Sequence, residues 1–503
     1  MSMGKQVVPG AGVREWLGLG LLALPTALLG LDVTVLYLVT PSVAAALDPT
    51  AAQTLWIMDA YGFFVAGFLI TMGTLGDRIG RRRLLMIGVA AFAAISVLAA
   101  FAPTAGLLIL ARALLGVAGA TLMPSTLSLI STMFADARQR AVAIGVWATM
   151  FALGMAAGPI VGGALVDRFW WGAAFLLAVP VALLVLAGAR ALLPEYAAPG
   201  EGRLDLISVA LSLAAILPMA YAVKNLATHG ADVPTLLIVL LGLVAGIAFV
   251  RRQLRLTFPL LDLTLFTDRA FSAALAVLLI GLVGVGGTMY LVTQFLQLVE
   301  GLSPAAAGLW MGAPASAMFA AAIGAPIVAR RIRPGVVMAA TQILSLVGYA
   351  LLAAADVGDA LRVVIGFAFV YLGLGAIAAL GTDIVVGAAP ATKSGSAAAL
   401  SETVQELGLA VGVAVLGSLS TAVYRSQIQP PAAPEDADRV TAGLDGAVAV
   451  SDRIPPEAFR GAQEAFTTGL NIAALTVGVA ITAVIALCLL MLGHIRPIGE
   501  AQP

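Results

Sequence analysis

Apolar runs of about twenty residues recur from Trp16 almost to the end of the chain, and each can cross a hydrocarbon core of roughly 30 Å. A backbone inside lipid must satisfy its own hydrogen bonds, so runs of this kind fold as helices. The expected class is therefore an all-α membrane protein. Only 11% of the residues are charged and 61% are hydrophobic, far from the roughly 25% charged residues of a soluble domain. No interval between the runs is large enough for a soluble domain. The single cysteine, Cys488, rules out an intramolecular disulfide framework and a multi-Cys metal site. With only His229 and His494 as imidazoles, a metal centre or a catalytic triad has little to build on. The expectation is a non-enzyme with no catalytic residues, no metal, no cofactor and no nucleic-acid partner.

Spans are expected near 16–39, 53–74, 83–102, 105–130, 140–164, 170–193, 204–224, 234–250, 270–298, 305–329, 335–355, 361–387, 394–421 and 467–492, fourteen in all. The first follows a charged segment and runs to Pro41 without a small-residue cleavage site, which reads as an anchor and not as a cleaved signal peptide. With fourteen spans, loops on the side of the N-terminus hold nineteen of the 27 Lys and Arg residues, the opposite loops hold seven, and Arg112 lies within a span. The positive-inside rule then places both termini in the cytoplasm, and a count of thirteen would mix the two sets of loops. The longest connection, about 422–466, faces outside. Its end, Pro455 to Phe466, has helical apolar spacing and reads either as a short amphipathic surface helix or as a solvated linker.

Three motifs stand out. After the second span, Gly73-Thr74-Leu75-Gly76-Asp77-Arg78-Ile79-Gly80-Arg81-Arg82-Arg83 reads as a tight turn. In it Gly76 and Gly80 turn the chain, and Asp77 can cap a helix and pair with an Arg across a helix interface. In the fifth span, Gly145, Gly154, Gly158, Pro159, Gly162 and Gly163 form G-x8-G-x3-G-P-x2-G-G, with Gly154, Gly158 and Gly162 making a smooth face for a neighbouring backbone and Pro159 adding a kink. The first span carries Leu31-Asp32-Val33-Thr34-Val35, and the thirteenth carries Ser401-Glu402-Thr403-Val404-Gln405-Glu406-Leu407-Gly408.

The loop motif resembles the signature of the major facilitator superfamily, and the Gly-Pro pattern resembles that of its antiporters. Together with Trp56 and Tyr61, the first- and thirteenth-span segments resemble the fourteen-span drug:proton antiporter branch, the quaternary-ammonium, methyl-viologen and dye efflux pumps. The resemblance runs over nearly the whole chain. It implies two six-helix bundles around a central cavity, residues 1–193 and 270–503, with an inserted helix pair in 194–269. It also implies that Gly73, Asp77, Arg78, Gly80, Arg81, Gly154, Gly158, Pro159 and Gly162 serve conformational change. The basic loop Arg330-Arg331-Ile332-Arg333-Pro334 lies where the second bundle should repeat the Asp77 loop, and it lacks the acid.

A charge in mid-span costs about 2.5–3.5 kcal/mol on insertion scales, so each one needs a partner or a role. Asp32, Asp59 and Arg112 fall at a similar depth in the outer half when counted at about 1.5 Å per residue. If they share a cavity, Arg112 holds one carboxylate ionised while the other is tuned toward neutral pH. Glu402 and Glu406, four apart, share a helical face nearer the middle and resist double ionisation. Asp383, near the end of its span, reads as an interfacial group. Among the aromatics, Tyr61, Trp147 and Trp310 are the candidates for stacking on a delocalised cation, and methionines adapt to varied shapes. The expected function is proton-coupled efflux of lipophilic cations by alternating access in the bacterial cytoplasmic (inner) membrane. Asp32, Arg112 and Glu406 are assigned to proton coupling, and Glu402, Glu406, Asp59, Tyr61, Trp147 and Trp310 to the substrate. The rivals are export of an endogenous metabolite or a neutral drug and, from another class, a membrane-embedded sensor or enzyme.

Overall fold

A computed structural model describes residues 10–49, 51–195, 205–229, 232–256, 259, 261, 263–390, 394–428 and 434–498. Every regular element among them is helical. The long helices are α1 Val13–Leu47, α2 Ala51–Ile79, α3 Arg81–Ala100, α4 Ala105–Met133, α5 Ala137–Arg168, α6 Ala173–Leu192, α7 Leu206–His229, α8 Val233–Gln253, α9 Arg269–Val299, α10 Ala306–Val328, α11 Pro334–Ala353, α12 Ala360–Ala388, α13 Ser394–Gln427 and α14 Pro456–Met491. Among the described residues eleven helices are long and apolar enough to cross a membrane, and α2 makes a twelfth if its two arms, bent by 53°, count as one span.

Short polar side chains start several of these helices by taking the backbone N–H groups that the first turn leaves unpaired. Thr104 accepts from Leu107 before α4, Asp136 from Arg138 and Gln139 before α5, Asp232 from Thr235 before α8, and Asp268 from Ala270 and Phe271 before α9. The helices pack into two main cores. One draws on α1–α6 through residues such as Leu29, Leu69, Phe92, Leu127, Ile144 and Val185. The other draws on α9–α14 through Val277, Met338, Phe367, Leu416 and Val484. Helix α8 leaves Leu236, Leu237, Leu240, Leu241, Val244 and Ile247 exposed, the surface expected of a helix that faces lipid.

Three local expectations are corrected. Helix α1 does not end at Pro41 but continues to Leu47, since a membrane helix tolerates a proline whose freed backbone groups neighbours can satisfy. The stretch after Pro455 is no separate surface helix. It forms the first turns of α14, where Gln463 donates to the Val299 carbonyl at 2.8 Å. Nor is that stretch a solvated linker, since Ala462 and Ala465 are buried in the second core. The connection before it carries helices Pro434–Ala442 and Leu444–Ala449, whose Val440, Leu444 and Ala447 join the same core. The Tyr424 hydroxyl fixes this cap by donating to the Val440 carbonyl at 2.8 Å.

Candidate functional site

The first charged centre joins α1, α2 and α4. Arg112 on α4 donates from Nη1 to Asp32 Oδ2 on α1 at 2.6 Å and from Nε to the Ile57 carbonyl on α2 at 3.2 Å. Its guanidinium carbon lies 4.7 Å from the centre of the Tyr61 ring, a cation–π contact that adds to the ion pair. Both charged side chains are almost fully buried, at 2% and 8% exposure, so each answers the other's desolvation. Tyr61 is thus engaged by Arg112 and is not part of the cavity wall described below. The side chain of Asp59, the third member of the expected cluster, lies outside the described residues, as does that of Pro159.

The glycine face of α5 sets where α1 sits. A Cβ on Gly154 would fall 2.0 Å from the Ala27 carbonyl, and one on Gly158 would fall 2.0 Å from Thr34 Oγ1. Gly162 faces Val35 in the same way, and Thr34 donates to the Met155 carbonyl at 2.8 Å. Small residues here let the two helices approach at backbone distance, which holds the Asp32 turn of α1 in place.

Between the two cores lies a small cavity of about 50 Å³. Its wall is formed by Met123 of α4, Trp147, Phe151 and Met155 of α5, Leu282 and Val285 of α9, Met318 of α10, Tyr371 of α12, and Glu402, Gln405 and Glu406 of α13, with Ala148, Leu374, Ala378 and Leu409 completing it. Trp147 is oriented by donating from Nε1 to Thr126 Oγ1 at 3.0 Å. Glu402 is buried and Glu406 half-buried, and among the described residues neither has a salt bridge. The Gln405 amide donates to Glu402 Oε1 at 3.2 Å and to Ser401 Oγ at 3.3 Å. Trp310 is more than a third exposed and stands apart from this wall.

At the end of the bundle that carries the α2–α3 corner, Arg140 of α5 donates from Nε to Asp383 Oδ1 of α12 at 3.0 Å. Asp383 is therefore a partner in a contact between the two cores. The corner itself departs from the expected turn. Helix α2 runs to Ile79, so Asp77 and Arg78 remain helical and Asp77 caps nothing. Instead the fully buried Arg81 donates from Nε to Asp77 Oδ1 at 2.9 Å. Gly80 alone makes the turn, at φ 106°, a backbone region open to glycine. Gly76 serves packing: a Cβ there would meet Arg81 Nη1 at 2.6 Å, so its absence makes room for the guanidinium. Gly73 lies buried one turn earlier on α2. Arg82 extends the corner to the end of α6 by donating to the Leu193 carbonyl at 3.0 Å and pairing with Glu195 at 3.3 Å. In the second half Arg333 makes the matching contact, donating to the Gly493 carbonyl beyond α14 at 3.1 Å.

Gln405 and the methionines Met123, Met155 and Met318 are wall residues that the sequence pattern does not single out by position. A neutral amide carries no insertion penalty large enough to attract notice. Its place between two acids on one helix is the only signal the chain offers.

Residues 22–413 match the family described as Major Facilitator Superfamily. The chain belongs to the major facilitator superfamily. Within that superfamily it is 42% identical to "Multidrug efflux pump LfrA" of Mycolicibacterium smegmatis, over 97% of this chain and 96% of that protein. It is 33% identical to "Methyl viologen resistance protein SmvA" of Salmonella typhimurium, over 88% of this chain and 90% of that protein. Among solved structures, the human organic anion transporter MFSD10 shares the fold with a TM-score of 0.60 at 15% identity, over 93% of this chain and 99% of that one. The protein is thus a multi-pass, non-enzymatic membrane transporter whose homologues are named as multidrug efflux pumps.

Proposed function

We propose that this protein is a proton-coupled exporter of lipophilic cations that works by alternating access. The observation that carries the reading is the cavity itself. It combines a Trp, a Phe, a Tyr and three Met side chains with two carboxylates, Glu402 and Glu406, that have no cationic partner among the described residues. An unpaired carboxylate in an apolar surround is costly as an anion and is relieved by a proton or by a cationic ligand. That is a physical basis for exchanging one for the other. Aromatic faces and thioethers add shape-tolerant contacts for flat, delocalised cations. The names of the relatives support the same class, since methyl viologen is itself a flat dication.

In this reading Asp32 and Glu406 carry the coupled protons, and Arg112 keeps Asp32 oriented. Glu402, Glu406 and Trp147 contact the substrate. The corner at Asp77 and the α1–α5 glycine face govern the rocking of one six-helix bundle, 1–193, against the other, 270–503. The pair α7 and α8 is an insertion between them, and the chain spans the cytoplasmic membrane of a bacterium fourteen times with both termini inside.

Purified protein in liposomes tests the reading. An imposed pH gradient should drive ethidium against its concentration gradient, and dissipating the gradient should stop it. Movement that ignores the pH gradient removes proton coupling. Transport of neutral drugs with no movement of any cation would favour the rival substrate class.

A further inference from the structure

Gln405 is a polar group of the cavity wall to which the mechanism above gives no part. It sits on α13 between the two acids, three residues after Glu402 and one before Glu406. Its amide is committed on one side, donating to Glu402 Oε1 at 3.2 Å and to Ser401 Oγ at 3.3 Å. Ser401 is fully buried and cannot follow the amide if it swings away. The serine therefore anchors the amide and the amide anchors the carboxylate.

The consequence lies in the geometry of two charges. A glutamate has three side-chain torsions, and a carboxylate with no partner spreads over several of them. Glu402 has no salt bridge among the described residues, and its one described side-chain donor is Gln405. A singly charged ligand needs one carboxylate and can follow it. A doubly charged ligand with rigidly spaced centres needs both carboxylates at a set separation, because a displaced counter-charge in a low-dielectric cavity costs far more than in water.

We infer that Gln405 is a positioning residue that holds Glu402 at a fixed distance from Glu406, so that the cavity discriminates in favour of rigid dications. The inference rests on the export reading above and deepens it. It makes the selectivity between mono- and dications a property of a neutral side chain. Length is essential to the role: an asparagine, shorter by one methylene, keeps the polarity but loses the reach.

The test uses the full-length protein in liposomes, with methyl viologen as the rigid dication and ethidium as the monocation. Gln405→Met, close in length and without a donor, should raise KM for methyl viologen about threefold, no more than removing the Glu402 charge would, and leave kcat and the ethidium KM at their wild-type values, the pattern of a lost binding contact. Gln405→Asn should behave like Gln405→Met. In a Glu402→Gln background, Gln405→Met should leave the ratio of the two KM values unchanged, since no second charge remains to be positioned. A merely structural role would instead lower transport of both cations together and add to the effect of Glu402→Gln. Parallel losses for both cations, or an asparagine variant that matches wild type, overturn the inference while the export reading stands. Wild-type protein that moves neither cation overturns both.

Discussion

Asp32 in the first half and Glu402 and Glu406 in the second are carboxylates set in apolar helices, yet the chain meets their charge in opposite ways. Asp32 has a full counter-charge, Arg112, at 2.6 Å, and the pair is closed off by Tyr61 and the Ile57 carbonyl. The two glutamates face a cavity with an amide, sulfurs and aromatic rings around them. A paired buried charge behaves as part of the scaffold, because removing either partner strands the other. An unpaired one behaves as a site, because its own stability improves when a ligand arrives. The difference separates a centre where protonating the acid strands Arg112, and so acts through the packing of the bundle, from one that is open to a ligand.

The largest effect should come from breaking the pair on its acidic side. Asp32→Asn leaves Arg112 buried with no counter-charge, and a guanidinium cannot shed its proton, so the expected loss is about 3–5 kcal/mol together with loss of transport. Arg112→Gln should cost less, because a stranded Asp32 can take up a proton. The double variant should recover part of the stability and none of the transport. Thermal unfolding in detergent measures the ranking, and equal losses from the two single variants would show that the pair is not isolated as described.

The second effect reaches the same centre through packing. Gly158 lies against Leu31 and Thr34, the neighbours of Asp32 on α1, and a side chain there meets Thr34 Oγ1. Gly158→Val should destabilise by about 1–3 kcal/mol through overpacking and abolish transport, while membrane insertion is retained. Unchanged efflux kinetics would show that the α1–α5 approach does not govern Asp32.

On the cavity side, stability and transport should part company. Neutralising Glu402 or Glu406 removes a carboxylate that has no cationic partner among the described residues and stands in an apolar surround, so Glu402→Gln and Glu406→Gln should melt at or above the wild-type temperature. Transport should nevertheless fall, by about tenfold for dications in Glu406→Gln and less for ethidium, with Glu402→Gln milder in both. Equal losses for both classes of cation would leave Glu406 as a proton carrier only. A clear drop in stability would place these acids with Asp32 after all.

Much of this contrast is legible in the amino-acid sequence. Asp32, Arg112, Glu402 and Glu406 announce themselves because a charge in an apolar run is costly, and the helices follow from the demands of lipid on the backbone. The partners are less legible. Arg140 and Asp383 are 243 residues apart and nothing local links them. Tyr61 reads as a cation-stacking group for substrate, and its ring does face a cation, but the cation is Arg112. Trp310 shares the same chemistry and ends up away from the cavity, since a side chain's direction depends on how its helix is rotated in the bundle. Likewise, the glycines at 76 and 80 suggest a turn for Asp77 to cap, whereas Gly76 serves to admit Arg81. Composition gives no sign that the Ala- and acid-rich connection before α14 contributes Val440 and Leu444 to a core.

The smallest effect is expected at a pair that belongs to neither centre and so calibrates both. Asp205 lies just before α7 and outside the spanning segments. It accepts from Arg252 Nε at 2.7 Å and Nη2 at 3.0 Å, and also from the Ile207 backbone and the Ser208 hydroxyl. The hydrogen bonds from Arg252, aided by Ser208 and Ile207, hold its carboxyl well below the usual Asp range. A depressed value means the folded protein keeps the anion where the unfolded chain would begin to protonate. The pair's contribution is therefore fully present at neutral pH and is lost only as pH falls below the ordinary Asp value of about 3.9. Asp205→Asn should lower the melting temperature slightly at pH 7, and by less in high salt, because the groups are only partly buried and screening is effective. The gap between variant and wild type should stay constant from pH 7 to about 5 and narrow on further acidification. Transport of methyl viologen and ethidium should be unchanged, because the pair ties α7 to α8 and touches neither the cavity nor Asp32. A loss of transport in this variant would mean that α7 and α8 take part in the exchange, and the contrast between a scaffold acid and a cavity acid would then need a third member.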